Sequence, residues 1–442
     1  MRSLSRRAIR CEEWSKVAID DKTGPLSSSD VHAIFATWKG TTGTDPTRYF
    51  ETGPNHLLPK FWSGILHCAN FSFEVLPIGG LSLQPSDKSQ LDRNLSEMLT
   101  TVLGGSSIQA TAGEISSTGS REDVLLLAFC NAFQLARRVR VIRSYSSITR
   151  QGRTLSGRLS FPRQSILDVA SPGTFASTLL AFSEDTAENR LVAEVFRRFR
   201  PKCGPAIRRH IDACHGELGY VAEGIDASKE WSRIRFDRLP KEYKTLMLQA
   251  RALLDGNFSG LFGGEVVSTS EIVFTSRLFE RYVAGEFAQI LAEMGYELAP
   301  QIRGSYLCVN SKGQSTFELI PDILIRHEKV AVVVADTKWK RLTIEKKGLG
   351  ISPEDVYQSL TYAAYFGCKK IALVFPNTSS TTGRKVFTHT LSANLHGVNY
   401  KIEVIGLPMI SSIREGCREA AKILIDPQTG DSVIPNEGES VL

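Results

Sequence analysis

The sequence has no CxxC pair, no internal repeat and no apolar run that could span a bilayer. Its longest apolar stretch, Val124 to Cys130, falls far short of the roughly 20 residues a membrane-crossing helix needs. No apolar segment follows the basic start MRSLSRRAIRCEEW, so no secretory signal is visible and a cytoplasmic protein with no membrane partner is expected. The eight cysteines are dispersed, a usage that reads as reduced thiols rather than a disulfide framework. Cys203, His210, Cys214 and His215 lie close together, but their spacing matches no common zinc pattern. There is no GxxxxGK[ST] motif, so no nucleotide is expected on this chain through a P-loop. HExxH and GxSxG are missing too, which removes the commonest zinc-protease and serine-hydrolase signatures. Nor is one sign of charge in great excess: 53 basic residues against 47 acidic ones give +6, too little by itself to argue for nucleic acid.

What is present is an ordinary globular composition, 42% apolar and 23% charged over 442 residues, long enough for two to three domains. Phe71 to Pro77 alternates as a half-buried strand does and ends at Gly79-Gly80. Gly104 to Ser120 is rich in Gly, Ser and Thr and reads as a linker or exposed loop. Helical spacing begins at Arg121 and recurs through Ala187 to Phe199 and Tyr243 to Leu254. From about Glu271 the order becomes α-β-β-β-α-β: a helix over Arg277 to Met294, strands over Gln301 to Val309, Phe317 to Ile325 and Lys329 to Trp339, a helix to about Phe366, and a strand over Lys370 to Phe375. Ser352-Pro353-Glu354-Asp355 opens the second helix, with Ser352 to cap, Pro353 suited to the first turn and Asp355 in the capping-box position. The expected fold class is a multidomain α+β and α/β chain. It has an N-terminal β-rich domain (1–115), a mainly helical middle region (121–265), a C-terminal α/β domain with a mixed sheet (271–410) and an acidic tail (426–442).

The sharpest chemical signal is Ile320-Pro321-Asp322-Ile323-Leu324-Ile325, a turn, then Val332 to Lys338 ending in Asp336-Thr337-Lys338. In an antiparallel hairpin turning near His327 to Lys329, Asp322 falls across from the neighbourhood of Asp336, and residues 336 and 338 share one face. Two carboxylates and a lysine then converge at the open end of two apolar strands, a costly placement for acids without a partner. Mg²⁺ takes one or two carboxylates with water and phosphate oxygens, and a neighbouring lysine can orient water or stabilise phosphate charge. The bland alternative is a surface hairpin with acids at its strand ends.

Those residues, with FSFEVLPIG, RVIRSYSSITRQGRTLSGRLSF, EDTAENRLVAEVF, LFERYV, IPDILI, VADTKW and DVYQSLTYAAYF, resemble the McrC family. Its members are the nuclease subunits of McrBC-type restriction systems, within the PD-(D/E)-x-K nuclease superfamily. The resemblance implies a restriction-endonuclease-like C-terminal domain in which Asp322 and Asp336 hold Mg²⁺ (or Mn²⁺), Lys338 is the catalytic lysine, and Glu280 is the acid supplied by the preceding helix. Periodicity alone does not choose Glu280, because Glu286 neighbours the apolar face of that helix just as closely. Gln358 and Tyr362, at i and i+4 and therefore on one face, would sit beside the site. The implied partners are an McrB-like AAA+ GTPase ring, double-stranded DNA containing modified cytosine, and a second copy of the chain for cutting both strands. Ser63 to Gly79 matches the partner-contacting portion only loosely.

Between Arg137 and Arg163 the chain carries eight arginines and no acid, with Tyr145 and Phe161 interleaved. Arginine forks suit phosphates, so Arg143, Arg150, Arg153 and Arg158 are candidates for contact with DNA or a partner protein, against a plain solvated face. Two other function classes stay open at this point: a non-catalytic adapter that stimulates a partner GTPase, and a stand-alone DNA repair nuclease.

Overall fold

The structure, a computed structural model, describes residues 7–104, 121–255, 267–269, 272–346, 348–379 and 382–425. The expected linker beyond Gly104, most of the 265–271 boundary region and the acidic tail from Asp426 lie outside these. The chain divides into two compact units, one made of residues 1–102 with 271–442 and the other of 103–270. The fold is mixed α/β with several sheets.

In the first unit the strand Phe71–Leu76 alternates buried and half-buried side chains, as its apolar alternation predicts. It runs parallel to Arg7–Glu12 and antiparallel to Ser63–His67, and Ile272–Val273 then pairs with Ser63–His67. A small sheet of Val17–Ala18, His56–Pro59 and Phe50–Gly53 packs beside the helix Ser28–Thr42. That helix starts in a full capping box between Ser27 and Asp30 and stops at Gly43 in the left-handed region, φ 68°. The core here is aromatic. The fully buried Trp38 ring lies 4.8 Å from Trp62, 5.0 Å from Tyr49 and 6.0 Å from Phe274. Residues 272–274 thus complete a core otherwise built from the first 75 residues, which is why the N-terminal segment, expected as a domain of its own, shares a compact unit with residues 271–442. Trp38→Ala is expected to lower unfolding stability by about 3–5 kcal/mol, the range for truncating a large buried aromatic, and denaturant titration would measure it.

The same unit holds a six-stranded sheet in the order Glu297–Pro300, Ile323–His327, Val330–Thr337, Lys370–Asn377, Val398–Pro408, Phe387–Leu395. It is mixed: Val330–Thr337, Lys370–Asn377 and Val398–Pro408 are mutually parallel, and the outer pairings are antiparallel. The helix Pro353–Phe366 crosses between the first two parallel strands, as parallel pairing requires of the connection. Leu324, Val334, Ile371, Leu373 and Val404 pack with Leu360 and Ala363 of that helix. The hairpin turn falls at Glu328 and Lys329, both at positive φ (49° and 67°), the conformation a two-residue turn between twisted strands demands. The single strand expected over Gln301 to Val309 is interrupted. Gln301 and Gly304 take positive φ (43° and 82°), so only Tyr306–Val309 of that range is strand, in a two-stranded sheet, while the strand that joins the six-stranded sheet lies before it, at Glu297–Pro300. Pro321 likewise separates Ser315–Glu318 from Ile323–His327.

The second unit is mainly helical, with Arg121–Val139, Ala187–Phe199, Pro205–Glu217 and Lys241–Asp255. Phe129 and Phe133 each meet Phe196 edge-on at 5.6 Å. It also carries a three-stranded sheet of Ser144–Gly152, Phe175–Ser183 and Arg158–Leu159.

Candidate active site

The register of the central hairpin decides which acids meet. Ile323 pairs with Ala335, so Asp322, just outside its strand, lies beside the end of Val330–Thr337. Its Oδ2 accepts from the Thr337 backbone N–H and from the Thr337 hydroxyl, both at 2.8 Å. Asp336, 2% exposed, forms an ion pair with the Lys338 ammonium, and its buried Oδ2 meets no hydrogen-bond donor beyond that ammonium. The Lys338 backbone N–H donates to the Val374 carbonyl at 2.8 Å, which fixes the lysine to the neighbouring parallel strand.

Helix Pro353–Phe366 presents the other wall. Lys338 Nζ donates to Gln358 Oε1 at 3.1 Å, and Gln358 Nε2 donates to Tyr362 Oη at 2.8 Å. Ser352 caps the helix by accepting from the Asp355 N–H at 3.3 Å. The Asp355 carboxylate, expected to reach back as a capping-box acid, is instead engaged by Lys340 Nζ at 2.8 and 3.1 Å and lies 3.5 Å from Lys338 Nζ. A buried acid gains more from two ammonium groups than from one exposed N–H. Glu280 comes from the helix Thr275–Glu293 and accepts from Gln301 Nε2 at 2.5 Å. The Gln301 backbone N–H in turn donates to the Asp322 carbonyl at 3.0 Å. Glu286, which periodicity could not separate from Glu280, pairs with Arg414 at 3.2 Å.

Electrostatically, Glu280, Asp322 and Asp336 form one cluster. Burial raises all three carboxyl pKa values, and each feels the next: Glu280 raises Asp322, Asp322 raises Asp336, and Asp336 raises Glu280. Burial pulls the Lys338 ammonium down, but the Asp336 carboxylate beside it more than compensates, and the lysine is held above its ordinary value. For Asp355, burial works upward but the lysines at 340 and 338 prevail, leaving it below the usual carboxylate range. Such a set of mutually repelling buried acids beside a protonated lysine is the environment expected of a functional site.

No three His, Cys, Asp or Glu side chains among the described residues form a ready-made metal cage. The donor chemistry nevertheless suits a hard cation that keeps most of its own water, for which one or two carboxylates suffice. Asp322 has one carboxylate oxygen left by Thr337, Asp336 has a buried oxygen with no donor but an ammonium, and positive charge between them relieves the repulsion that raises both.

The residues read from the sequence therefore divide. Asp322, Asp336, Lys338, Glu280, Gln358 and Tyr362 come together. Arg143, Arg150, Arg153 and Arg158 lie in the other unit, where Arg143 pairs with Glu184 at 3.1 Å alongside Arg137 at 2.9 Å. Arg150, Arg153 and Arg158 are exposed, and the exposed Tyr145 stacks on Phe182 at 4.9 Å between ring centres. Asp355 and Gln301 were not anticipated as site residues. For Asp355 the signal was available, an acid three residues before Gln358 on the first turn. For Gln301, in an irregular link, there was none.

Comparison with known proteins adds the following. Residues 60–376 match the family model described as McrBC 5-methylcytosine restriction system component. Among curated proteins nothing matches. Among solved structures, a refined half-complex from a tetradecameric assembly of Thermococcus gammatolerans McrB AAA+ hexamers with bound McrC is similar in fold. It matches at a TM-score of 0.55 and 15% identity, covering 95% of this chain and all of that one. The cryo-EM structure of the Thermococcus gammatolerans McrBC complex matches at a TM-score of 0.34 and 16% identity, over 64% of this chain and 88% of that one.

Proposed function

This chain belongs to the McrBC 5-methylcytosine restriction system component family, and from that premise we propose that it is the system's Mg²⁺-dependent DNA endonuclease subunit. The six-stranded mixed sheet is, in this reading, a restriction-endonuclease-like domain. The observation that carries the reading is the meeting of Glu280, Asp322, Asp336 and Lys338 at the open end of one hairpin.

Asp322 and Asp336 would hold Mg²⁺, with Glu280 closing the cluster. The chemistry that Mg²⁺ would supply there is Lewis-acid polarisation of the scissile phosphodiester and a lowered pKa for its bound water. Lys338, kept protonated by Asp336, offers its ammonium to the charge that builds on the phosphate oxygens as the bond to the leaving oxygen breaks. Gln358, braced by Tyr362, holds that ammonium at one angle. Asp355, through Lys340, keeps the segment after Lys338 against the helix. The residues of this site would meet phosphate and metal, which carry no sequence information, and recognition of modified cytosine is proposed to fall to a partner. With no P-loop motif in this chain, nucleotide hydrolysis is likewise proposed to fall to that partner, an AAA+ GTPase; the assembly of similar fold pairs McrC with McrB AAA+ hexamers. The exposed Arg150, Arg153 and Arg158 are proposed to meet DNA phosphates or that GTPase, and a second copy of the chain would cut the opposite strand.

The test is a cleavage assay on the chain co-purified with its AAA+ partner. With GTP and Mg²⁺, plasmid carrying 5-methylcytosine is expected to be cut and unmodified plasmid spared, and EDTA is expected to stop cutting. Accelerated GTP turnover with intact plasmid would overturn the nuclease reading in favour of an adapter.

A further inference from the structure

Three consecutive residues at the end of the first strand, Glu12, Glu13 and Trp14, grip Trp339 and Arg341, two of the three residues that follow the lysine of the site. Trp14 Nε1 donates to the Trp339 carbonyl at 2.9 Å. Trp339 Nε1 donates to Glu13 Oε2 at 2.7 Å, and the Thr275 hydroxyl donates to Glu13 Oε1 at 2.6 Å. Arg341 donates to Glu12 Oε1 at 2.7 Å, and the Glu12 carboxylate also accepts from the Gly79 and Leu81 N–H groups. The grip is anchored in the N-terminal sheet, since the Glu13 N–H donates to Leu76 and the Trp14 N–H to Pro59.

Two features set this apart from ordinary packing. Trp14 takes a left-handed backbone, φ 62°, a conformation rare for an aromatic residue, with its ring edge-on to Phe61 at 5.0 Å. Such strain persists only where surrounding contacts impose it. Glu13, for its part, is an acid 2% exposed with no cation among its hydrogen-bond partners, and burial pushes its carboxyl up to about 8. Its partners are one indole, one hydroxyl and the Ile78 backbone N–H, all of them neutral, and a carboxyl is an expensive acceptor for such a set. It sits where it can fix the Trp339 ring, which also meets the ring of Phe279 at 5.3 Å, next in sequence to Glu280.

We propose that Glu13 and Trp14 are positioning residues for the reaction, setting the placement of Lys338 and Glu280 through Trp339 from the N-terminal sheet. This rests on the nuclease reading above. It makes the N-terminal segment part of the catalytic apparatus, so that whatever binds that segment acts on the lysine through two hydrogen bonds. Displacement of a catalytic group by about 1 Å can cost on the order of 100-fold in rate.

The test compares Trp14→Phe, which keeps the ring and loses the donor, with Glu13→Leu, which loses the acceptor, and Glu13→Gln. The glutamine can still accept from Trp339 and can donate to Thr275. In the full chain, hydrogen exchange over residues 336–341 is expected to quicken by about tenfold in Trp14→Phe and Glu13→Leu and to stay near wild type in Glu13→Gln. In the complex with the GTPase, kcat for cleavage is expected to fall ~10- to 100-fold in the first two, with KM for DNA and GTP turnover unchanged, and to recover in Glu13→Gln. Unchanged exchange over 336–341 in Trp14→Phe overturns the proposal, even if Glu13→Leu fails to fold. So does a uniform loss of exchange protection across the chain in Trp14→Phe, which marks a merely structural role. A wild type that never cleaves overturns the nuclease reading instead, and the exchange measurement still decides the coupling.

Discussion

Asp336→Asn is expected to abolish cleavage while raising the melting temperature of the metal-free protein at pH 8. Asp336 is buried, and both burial and Asp322 raise its carboxyl, so its ionised form is held in the fold against its own solvation. Asparagine keeps the shape and removes that charge. Lys338 retains Gln358 and Asp355 as neighbours, so the substitution does not strand an ammonium. Removing a buried liability from a functional site commonly returns about 0.5–2 kcal/mol, and differential scanning calorimetry reads this as a few degrees. Activity is expected to move the other way, because in the proposed reading Asp336 holds Mg²⁺, and loss of several kcal/mol of transition-state stabilisation is roughly 1,000-fold in rate. A destabilised Asp336→Asn protein would mean that the carboxylate is a structural ion-pair partner of Lys338 and not a site strained for function.

The second large effect is in how Mg²⁺ and pH combine. Glu280, Asp322 and Asp336 all titrate above the ordinary carboxylate range in the folded protein. A group whose folded pKa is raised binds more protons folded than unfolded between its two pKa values, so stability falls as pH rises through that window. Well below the ordinary carboxylate pKa of about 4, both states are protonated and the penalty vanishes. In the metal-free protein the contribution of this cluster to stability should therefore fall from about pH 4 upward through the raised values, and it is read as the difference between wild type and Asp336→Asn. A cation on the ionised cluster reverses this. Mg²⁺ at about 100 times its Kd stabilises by about 2.7 kcal/mol where the acids are already ionised, and by less at pH 5.5, where protons must first be displaced. Thermal shifts with and without Mg²⁺ at pH 5.5 and 8 are expected to differ in that order, with the difference lost in Asp336→Asn. Equal shifts at both pH values would place the Mg²⁺ elsewhere.

Much of the site was legible because its information is local. Alternating and apolar runs located the hairpin, the two-residue period put Asp336 and Lys338 on one face, and the turn near His327 brought Asp322 opposite. Ser352-Pro353 marked the helix whose i and i+4 positions brace the lysine. Glu280 came from the resemblance, since a helix face alone could not tell it from Glu286. What was not legible depends on long-range pairing. Glu13 and Trp14 meet Trp339 across more than 300 positions of sequence, and no local pattern marks an acid that will be buried there. Gln301 reaches Glu280 only because positive φ turns the chain after Pro300. The sheet formed by Ser144–Gly152 was hidden because its arginines and serines carry no apolar alternation.

The most direct measurement is cleavage of 5-methylcytosine plasmid by the GTPase complex containing wild-type chain or Lys338→Ala, with GTP turnover followed in the same tubes. Wild type is expected to yield linear DNA in Mg²⁺. Lys338→Ala should form the complex, turn over GTP at the wild-type rate and cut at least ~100-fold more slowly. Equal cutting by both would contradict the assignment of this cluster as the nuclease site.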